Sequence, residues 1–486
     1  MAKDKLKRYI GDRSCDILGL GVSNLPLAET LTEWNVPLTV RDKIPLDRLG
    51  DRAKALADRG VRFVTGEGYL QGISGELIFR SPGMRPDSTE LLSAVENGRT
   101  LTSEMELFLE LTDADTFAVT GSDGKTTSTT LAGKFLSAEA ERTGLGKVFV
   151  GGNIGAPLLH RVDEITENDS AVLELSSFQL MTVKKAPLYS AITNLSPNHL
   201  DWHRGMAEYL AAKKNIIGEN THRLVTNAEC HATAELAAGL LAARAEGKPS
   251  PALFLFSSKR NGFRQLFPNG AGKDDRAIYE KNGHIVISDG VTECPLLDVA
   301  KIRVPGRHNV ENFMTAIGLT YGRVSPAVYG TVAEGFVGVE HRLELVRTLN
   351  GVDYYNSSID SSPSRTAAAL SALSGRDIVI ICGGYDKKIP FEPLAECLCH
   401  SVRAVVLTGQ TGNTIGTVLK NHPDYREGTP TVCHEPDFEQ AVKTAKDLAR
   451  EGGCVLLSPA CASFDAFRNF MERGEVFRKI VKSFEI

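Results

Sequence analysis

An α/β fold in three domains is predicted by three observations. Short apolar runs recur along the whole chain, helical patterns separate them, and glycine turns follow several of the runs directly. That alternation reads as successive βα units whose parallel sheets are covered on both faces. The length, 486 residues, is too great for one core and corresponds to about three domains of ordinary size. We place them at residues 1–102, 103–338 and 339–486. No period of roughly 20 to 50 residues repeats along the chain, which sets solenoids aside.

The first domain opens on the strand "CDILGLG". The run from Gly19 through Gly21 and Ser23 to Asn24 resembles a dinucleotide-binding fingerprint in which Asn24 stands for the third glycine. A second strand, "VPLTVRD", ends at Asp42. An acidic side chain at that place can meet a ribose or another polar group of a nucleotide, and a solvated strand-end aspartate is the alternative. The domain reads as Rossmann-like.

The central domain begins with the amphipathic segment "TSEMELFLEL" and continues into "FAVTGSDGKTTSTT". Phe117, Ala118 and Val119 end a buried strand, Gly121 and Gly124 permit a tight turn, and the threonine-rich stretch with Thr126 and Thr127 opens a helix. Backbone N–H groups in such a loop point at an anion, Lys125 can reach the outer phosphates of a nucleotide, and the Thr126 hydroxyl can hold Mg²⁺. The spacing is a shortened variant, because Val119 stands where the first glycine of the usual motif falls. The domain is therefore expected to be a P-loop ATPase-like parallel sheet. Further runs "SAVLELSSF", "SAITNLSPNHLDWH" and "HRLVTN" put Glu174, His199 and Asp201 at or just after strand ends, where sites in such sheets lie. The stretch 243–283, rich in Gly, Lys, Arg and Pro, reads as loop and hairpin elaboration without chemistry.

The third domain follows "VPGRHNVENFMTAIG" and repeats the alternation with "DIVIICGG", "AVVLTG" and "CVLLSPA", again Rossmann-like. Its cluster of Cys397, Cys399 and His400 lacks the ligand spacing of structural zinc. The nine cysteines are scattered and odd in number, which fits reduced thiols rather than a disulfide framework. A net charge of -5 leaves no basic footprint, so nucleic acid is not an expected partner and small molecules are. No apolar run approaches the roughly 18 residues of a membrane span, and "MAKDKLKRYI" lacks the apolar core of a signal peptide, so a cytoplasmic location is expected.

Taken in order, "TGSDGKTT", "GGNIGAP", "LELSSFQL", "NHLDWH", "AAKKNI", "PGRHNVEN", "EHRLE", "GGYDKKIPFEPL" and "SPACASFDAFRNFMERGEVF" resemble the Mur ligase family across nearly the whole chain. The family comprises ATP-dependent amide ligases of peptidoglycan-precursor synthesis. The segment "LSPACASFDAF" points to the member that adds D-glutamate, over its sisters that add L-alanine, a third amino acid or a dipeptide. The resemblance implies that ATP phosphorylates the carboxylate of UDP-N-acetylmuramoyl-L-alanine and that the amine of D-glutamate attacks the acyl phosphate. Phosphates and carboxylates converge in such a reaction, so Mg²⁺ and cationic side chains are needed to neutralise them.

Residue by residue, the resemblance implies Gly121, Gly124, Lys125, Thr126 and Thr127 on the ATP phosphates. It puts Thr126, Glu174 and His199 on Mg²⁺, with His199 also bridging to the acyl substrate, which Asn153 contacts. Lys213 matches a lysine that reacts with CO₂, and the carbamate supplies anionic oxygens where an ammonium cannot ligate a cation. Read alone, Lys213 and its neighbour Lys214 look like solvated helix lysines. Asn309 and Asn312 fall near adenine, on one helical face, and Arg342 falls on ATP. Lys387, Ser361, Ser463, Phe464 and Phe470 are implied around D-glutamate, and Gly19, Ser23 and Asp42 around the uridine diphosphate end. Closure of the third domain on the second is expected to complete the site. One departure stands out. The family carries an acidic residue on the ATP ribose after the asparagine of "YYNSSIDSSPSR", whereas this chain has Ser357 there and Asp360 three places on. A monomer is expected. The rival readings are a folylpolyglutamate-type ligase and a regulatory protein that binds the UDP precursor without turnover.

Overall fold

The computed structural model describes residues 4–199, 202–386 and 389–485. The chain gathers into two compact units, Met1–Val299 with Glu311–Val332, and Ala300–Val310 with Ala333–Ile486.

The first unit holds two sheets. One consists of β1 (Cys15–Leu18), β2 (Leu38–Asp42), β3 (Arg62–Thr65), β4 (Leu77–Arg80) and β5 (Thr100–Thr102) in the order β3-β2-β1-β4-β5, all parallel. The order reverses beside β1, so the C-terminal ends of β1 and β4 open a crevice of the kind that takes nucleotides. The other sheet runs through β6 (Asp115–Thr120), β7 (Val148–Gly152), β8 (Ser170–Glu174), β9 (Tyr189–Ile192), β10 (Arg223–Asn227), β11 (Ala252–Ser257), β12 (Arg276–Lys281), β13 (His284–Ser288) and β14 (Glu293–Asp298). Its order is β14-β13-β12-β11-β10-β9-β6-β8-β7, with β6 interior between β9 and β8 and every pairing parallel except β12 with β13 and β13 with β14. Phe117, Ala118 and Val119 are fully buried on β6, as continuous apolar runs in a two-faced sheet require.

Two local signals set the approach to the phosphate loop. The Ser103 hydroxyl accepts from the Glu106 N–H at 3.2 Å and starts helix Glu104–Leu111. Gly144, at φ 70°, ends helix Lys125–Thr143 by donating its N–H to the Ala140 carbonyl. Glu106 itself is 2% exposed, its Oε2 has no hydrogen-bond partner among the described residues, and burial pushes its carboxyl up to about 7.

The stretch 243–283 departs from expectation. It contains the end of helix His231–Ala245 together with β11 and β12, and β11 is an interior parallel strand with Leu253 fully buried and Phe256 1% exposed. The apolar run "ALFLFS" is a strand whose polar, glycine-rich flanks give it the look of a loop. Only the β12–β13 hairpin matches the expectation. At the sheet's far edge β14 carries Pro295, and the β13–β14 register shifts between Ile285 and Val286.

The second unit carries β15 (Glu344–Leu349), β16 (Val352–Asn356), β17 (Ile378–Cys382), β18 (Ala404–Leu407), β19 (Thr431–His434) and β20 (Cys454–Leu457) in the order β15-β16-β20-β17-β18-β19. Only β15 pairs antiparallel. Every residue of β17, β18 and β20 is buried. Asn469 caps the last helix, Phe470–Ser483, by accepting from the Glu472 N–H at 2.9 Å.

Candidate active site

The phosphate loop is built by close approach. Gly121, at φ 147°, would place a Cβ 1.9 Å from Thr193 Oγ1, and Gly124, at φ 77°, would place one 2.4 Å from Asn312 Oδ1. Neither position admits a side chain. The end of β9 braces the loop: Ser122 N–H donates to the Asn194 carbonyl, Asp123 N–H to Asn194 Oδ1 at 3.0 Å, and Thr193 Oγ1 to the Asp123 carbonyl at 2.5 Å. Ser122 Oγ meets Tyr209 OH at 2.8 Å and accepts from the Ser196 N–H at 2.8 Å. Lys125 folds back over the loop, its Nζ donating to the carbonyls of Gly121 at 2.9 Å and Ser122 at 3.1 Å. Thr126 follows at the helix start, half-buried, and Thr127 is buried.

Glu174 ends β8 beside this loop and is 1% exposed. Its Oε1 accepts from Asn153 Nδ2 at 2.7 Å, and its Oε2 is buried without a partner among the described residues. A buried carboxylate oxygen with no donor is costly unless a cation or water meets it. Gly152, at φ 95°, lets the β7 turn close on Glu174, where a Cβ would stand 2.2 Å from the Glu174 carbonyl oxygen.

Lys213 corrects the solvated-lysine reading. It is 2% exposed, whereas Lys214 is exposed. Its Nζ donates to Gly121 O at 2.8 Å and Thr120 Oγ1 at 3.1 Å and lies 4.9 Å from the Tyr209 ring centroid. Burial, with Lys125 nearby as a second cause, pushes its ammonium down to about 6. His199 sits in a left-handed turn at φ 53°, with its ring 4.9 Å edge-to-face from Phe178. Among the described residues no group of three or more His, Cys, Asp or Glu gathers as a metal site.

The remaining expected residues divide. Gly19, at φ 81°, packs on Ser81, and Asp42 accepts from the Leu20 N–H and the Ile44 N–H, both at 2.8 Å, so the Gly19–Ser23 loop and Asp42 are brought together. Asn309 and Asn312 lie on helix Arg307–Thr320. Asn312 Oδ1 accepts from Ser128 Oγ at 3.3 Å and packs beneath Gly124, so it supports the loop as well as any adenine.

In the second unit Arg342 is flanked by His341 at φ 62° and Leu343 at φ 43°, a strained turn of the kind kept at functional sites. Ser357 does not present itself to a ligand. It is 1% exposed, its Oγ accepts from the Leu343 N–H at 3.1 Å, and it hydrogen-bonds the buried Asp360 carboxyl, which also accepts from Ser458 Oγ at 2.8 Å. Its hydroxyl is thus satisfied by local partners. Ser463 is 2% exposed, Phe464 is 64% exposed beside Tyr385, Ser361 is half-buried, and Phe470 starts the last helix. Lys387 lies outside the described residues.

Arg473 has no sequence signal. It is 2% exposed and donates to Ser358 Oγ at 3.0 Å and to the carbonyls of Ser358, Cys461 and Ala462 at 2.8, 3.0 and 3.1 Å. It thereby ties down the turn at Ala460, φ 60°, that leads to Ser463. Thr193, Asn194 and Tyr209, which brace the phosphate loop, were equally silent in sequence; only their adjacency to strand and helix ends marks them.

A glycine loop, an orphaned carboxylate and a buried lysine thus lie together in the first unit, and comparison with known proteins gives the family to which they belong. Residues 119–320 match the Mur ligase middle domain and residues 341–461 the Mur ligase glutamate ligase domain. The chain is 41% identical to a UDP-N-acetylmuramoylalanine–D-glutamate ligase of Ruminiclostridium cellulolyticum, over 99% of this chain and 98% of that protein. It is 42% identical to proteins of that name from Acetivibrio thermocellus, over 99% and 98% of the two chains, and Clostridium beijerinckii, over 99% and 100%. The fold is similar to a UDP-N-acetylmuramate-alanine ligase of Thermotoga maritima, with TM-score 0.54, 18% identity and coverage of 97% and 99%. A pseudomurein peptide ligase type C of Methanothermus fervidus gives TM-score 0.51 at 15% identity, over 97% and 100%. The chain belongs to the Mur ligase family.

Proposed function

We propose that this chain is the ligase that joins D-glutamate to UDP-N-acetylmuramoyl-L-alanine at the expense of ATP in peptidoglycan-precursor synthesis. The observation that carries the reading is identity of 41–42% along the full length to relatives of that name. Residues 1–102 take the UDP end, 103–338 the ATP, and 339–486 the amino acid. The γ-phosphoryl group passes to the substrate carboxylate, giving an acyl phosphate and ADP. The D-glutamate amine then attacks the acyl carbon, and the tetrahedral intermediate expels phosphate to leave the amide. The loop amides and Lys125 hold the transferring phosphoryl group, and Lys125 must swing from the Gly121 and Ser122 carbonyls to do so.

Thr126, Glu174, His199 and a carbamate on Lys213 are the groups that would hold Mg²⁺, and the orphaned Glu174 Oε2 fits that role. Bound there, Mg²⁺ would neutralise phosphate and carboxylate charge. Burial of Lys213 favours the neutral amine, whose attack on CO₂ gives the carbamate and releases a proton. Asn153 orients Glu174 from its other oxygen. The Gly19–Ser23 loop with Asp42 takes the uridine diphosphate, and Arg342, Ser361, Lys387, Ser463, Phe464 and Phe470 serve ATP and D-glutamate. The protein acts in the cytoplasm, as a monomer; no described helix is long and apolar enough to cross a membrane.

Phosphate release tests the reading. With UDP-N-acetylmuramoyl-L-alanine and ATP, release is expected with D-glutamate and not with L-alanine, L-glutamate or diamino acids. Release supported by a folate with L-glutamate would favour the folylpolyglutamate rival, and precursor binding without release would favour the regulatory one.

A further inference from the structure

Arg85, on the segment after β4, gathers the chain around the turn that carries His199. Its Nε and Nη2 donate to Asp87 at 2.8 and 2.9 Å, its Nη1 and Nη2 to Glu208 at 3.1 and 2.8 Å, and its Nη1 also to the Trp202 carbonyl at 2.8 Å. Its guanidinium carbon lies 4.9 Å from the Trp202 ring centroid. Trp202 answers by donating its Nε1–H to the Gly83 carbonyl at 2.9 Å and packing on Phe178 at 4.4 Å. Glu208 Oε2 further accepts from the Arg204 N–H at 2.9 Å and lies 3.2 Å from His203 Nδ1, while His203 Nε2 meets Ser177 Oγ at 2.9 Å. The His199 carbonyl accepts from the N–H groups of Trp202 at 3.1 Å and His203 at 2.9 Å.

Serine, histidine and glutamate in this order resemble a hydrolytic triad, but Ser177 and His203 are 2% and 3% exposed, so no substrate reaches the hydroxyl. What the cluster does join is three elements that matter to the acyl-activation site. Glu208 is in the first turn of helix Met206–Lys214, which bears Lys213. Ser177 lies three residues after Glu174, and His203 and Trp202 hold the backbone of His199.

We propose that Arg85 is a positioning residue for acyl activation, tying the segment after β4 to the His199 turn and to the helix of Lys213 through Asp87, Glu208 and Trp202. The proposal rests on the ligase reading above. A planar fork with several fixed donors suits this task, and a lysine would not reproduce it.

The experiment uses the full chain in a Trp34→Phe background, which leaves Trp202 as the only tryptophan. Arg85→Met is expected to lower kcat roughly 30-fold, the scale at which small misplacements of reacting groups act, with the Kd for an ATP analogue within about twofold. Acrylamide quenching of Trp202 should rise in the same variant, and Arg85→Lys should recover less than half of the lost kcat. Glu208→Gln, which removes one charge and replaces one acceptor oxygen by a donor, should show the same pattern more weakly and stands in if Arg85→Met does not fold. A kcat within twofold of the parent, or unchanged Trp202 quenching, would overturn the proposal. Absence of D-glutamate-dependent phosphate release in the parent would instead defeat the ligase reading, whatever the quenching shows.

Discussion

Two buried cations, one in each compact unit, are treated in opposite ways. Lys213, behind the phosphate loop, is met by one carbonyl and one hydroxyl, and burial pushes its ammonium down to about 6. Arg473, behind the Ala460–Ser463 turn, is met by three carbonyls and a hydroxyl, and although burial lowers it to about 10, it stays charged at neutral pH. Incomplete solvation turns a lysine into a neutral amine ready for chemistry. Nearly complete solvation by carbonyls turns an arginine into a clamp.

The largest expected effect tests the first half of that contrast. Lys213→Ala should lower kcat about a thousandfold, because the carbamate proposed there would supply an anionic metal ligand where charge moves. Added formate or acetate should restore part of the rate; if neither does in a titration to molar concentration, the amine is not acting through a carbamate. Next comes the clamp. Arg473→Met takes the guanidinium donors from the Ser358 and Cys461 carbonyls, while the Ala462 carbonyl keeps the Tyr385 N–H, and should cost about 3 kcal/mol in a urea melt. Arg473→Lys should raise the KM for D-glutamate while leaving that for ATP unchanged, and an equal rise in both would show a general loss of structure.

Ser357 supplies a third, smaller test. Aspartate at this position would sit buried against Asp360, itself held above its usual range by burial. Ser357→Asp should therefore destabilise the protein by about 2 kcal/mol at pH 7 and should not lower the KM for ATP. A tighter KM would show that the side chain can reach the nucleotide after all. The smallest effect concerns Glu106, whose folded value of about 7 lies above the ordinary 4.5. Folding binds the extra proton, so its penalty is absent below about pH 4.5, grows as pH rises, and is complete above about 7. Glu106→Gln removes a penalty of at most about 3 kcal/mol but buries an amide in its place, so a net gain of roughly 1 kcal/mol at pH 8 and no gain near pH 4.5 are expected in thermal melts at both values.

Much of this was legible in the sequence. Gly121, Gly124 and Lys125 announce an anion loop because close backbone approach tolerates no other residue there, and Glu174 and His199 fall near strand ends that apolar runs mark. Lys213 was recognisable only by family resemblance, because lysines on a short helix look solvated and its inward face shares Tyr209 and Ala212. Arg473 and Arg85 were silent, since an inward-turned guanidinium depends on carbonyls and carboxylates far away in sequence. The local partners of Ser357 were illegible for a similar reason: its hydroxyl meets Asp360 and the Leu343 N–H only through the fold. β11 was hidden by its flanks rather than by its own residues.

The outer edge of the central sheet has a consequence for life at high concentration. A bare strand at the rim of so broad a sheet is a template on which another chain can build. Pro295 removes one of the N–H groups such a visitor would need, and the register slip beside it spoils the spacing of the others. At this edge, addition of a further strand is thus disfavoured.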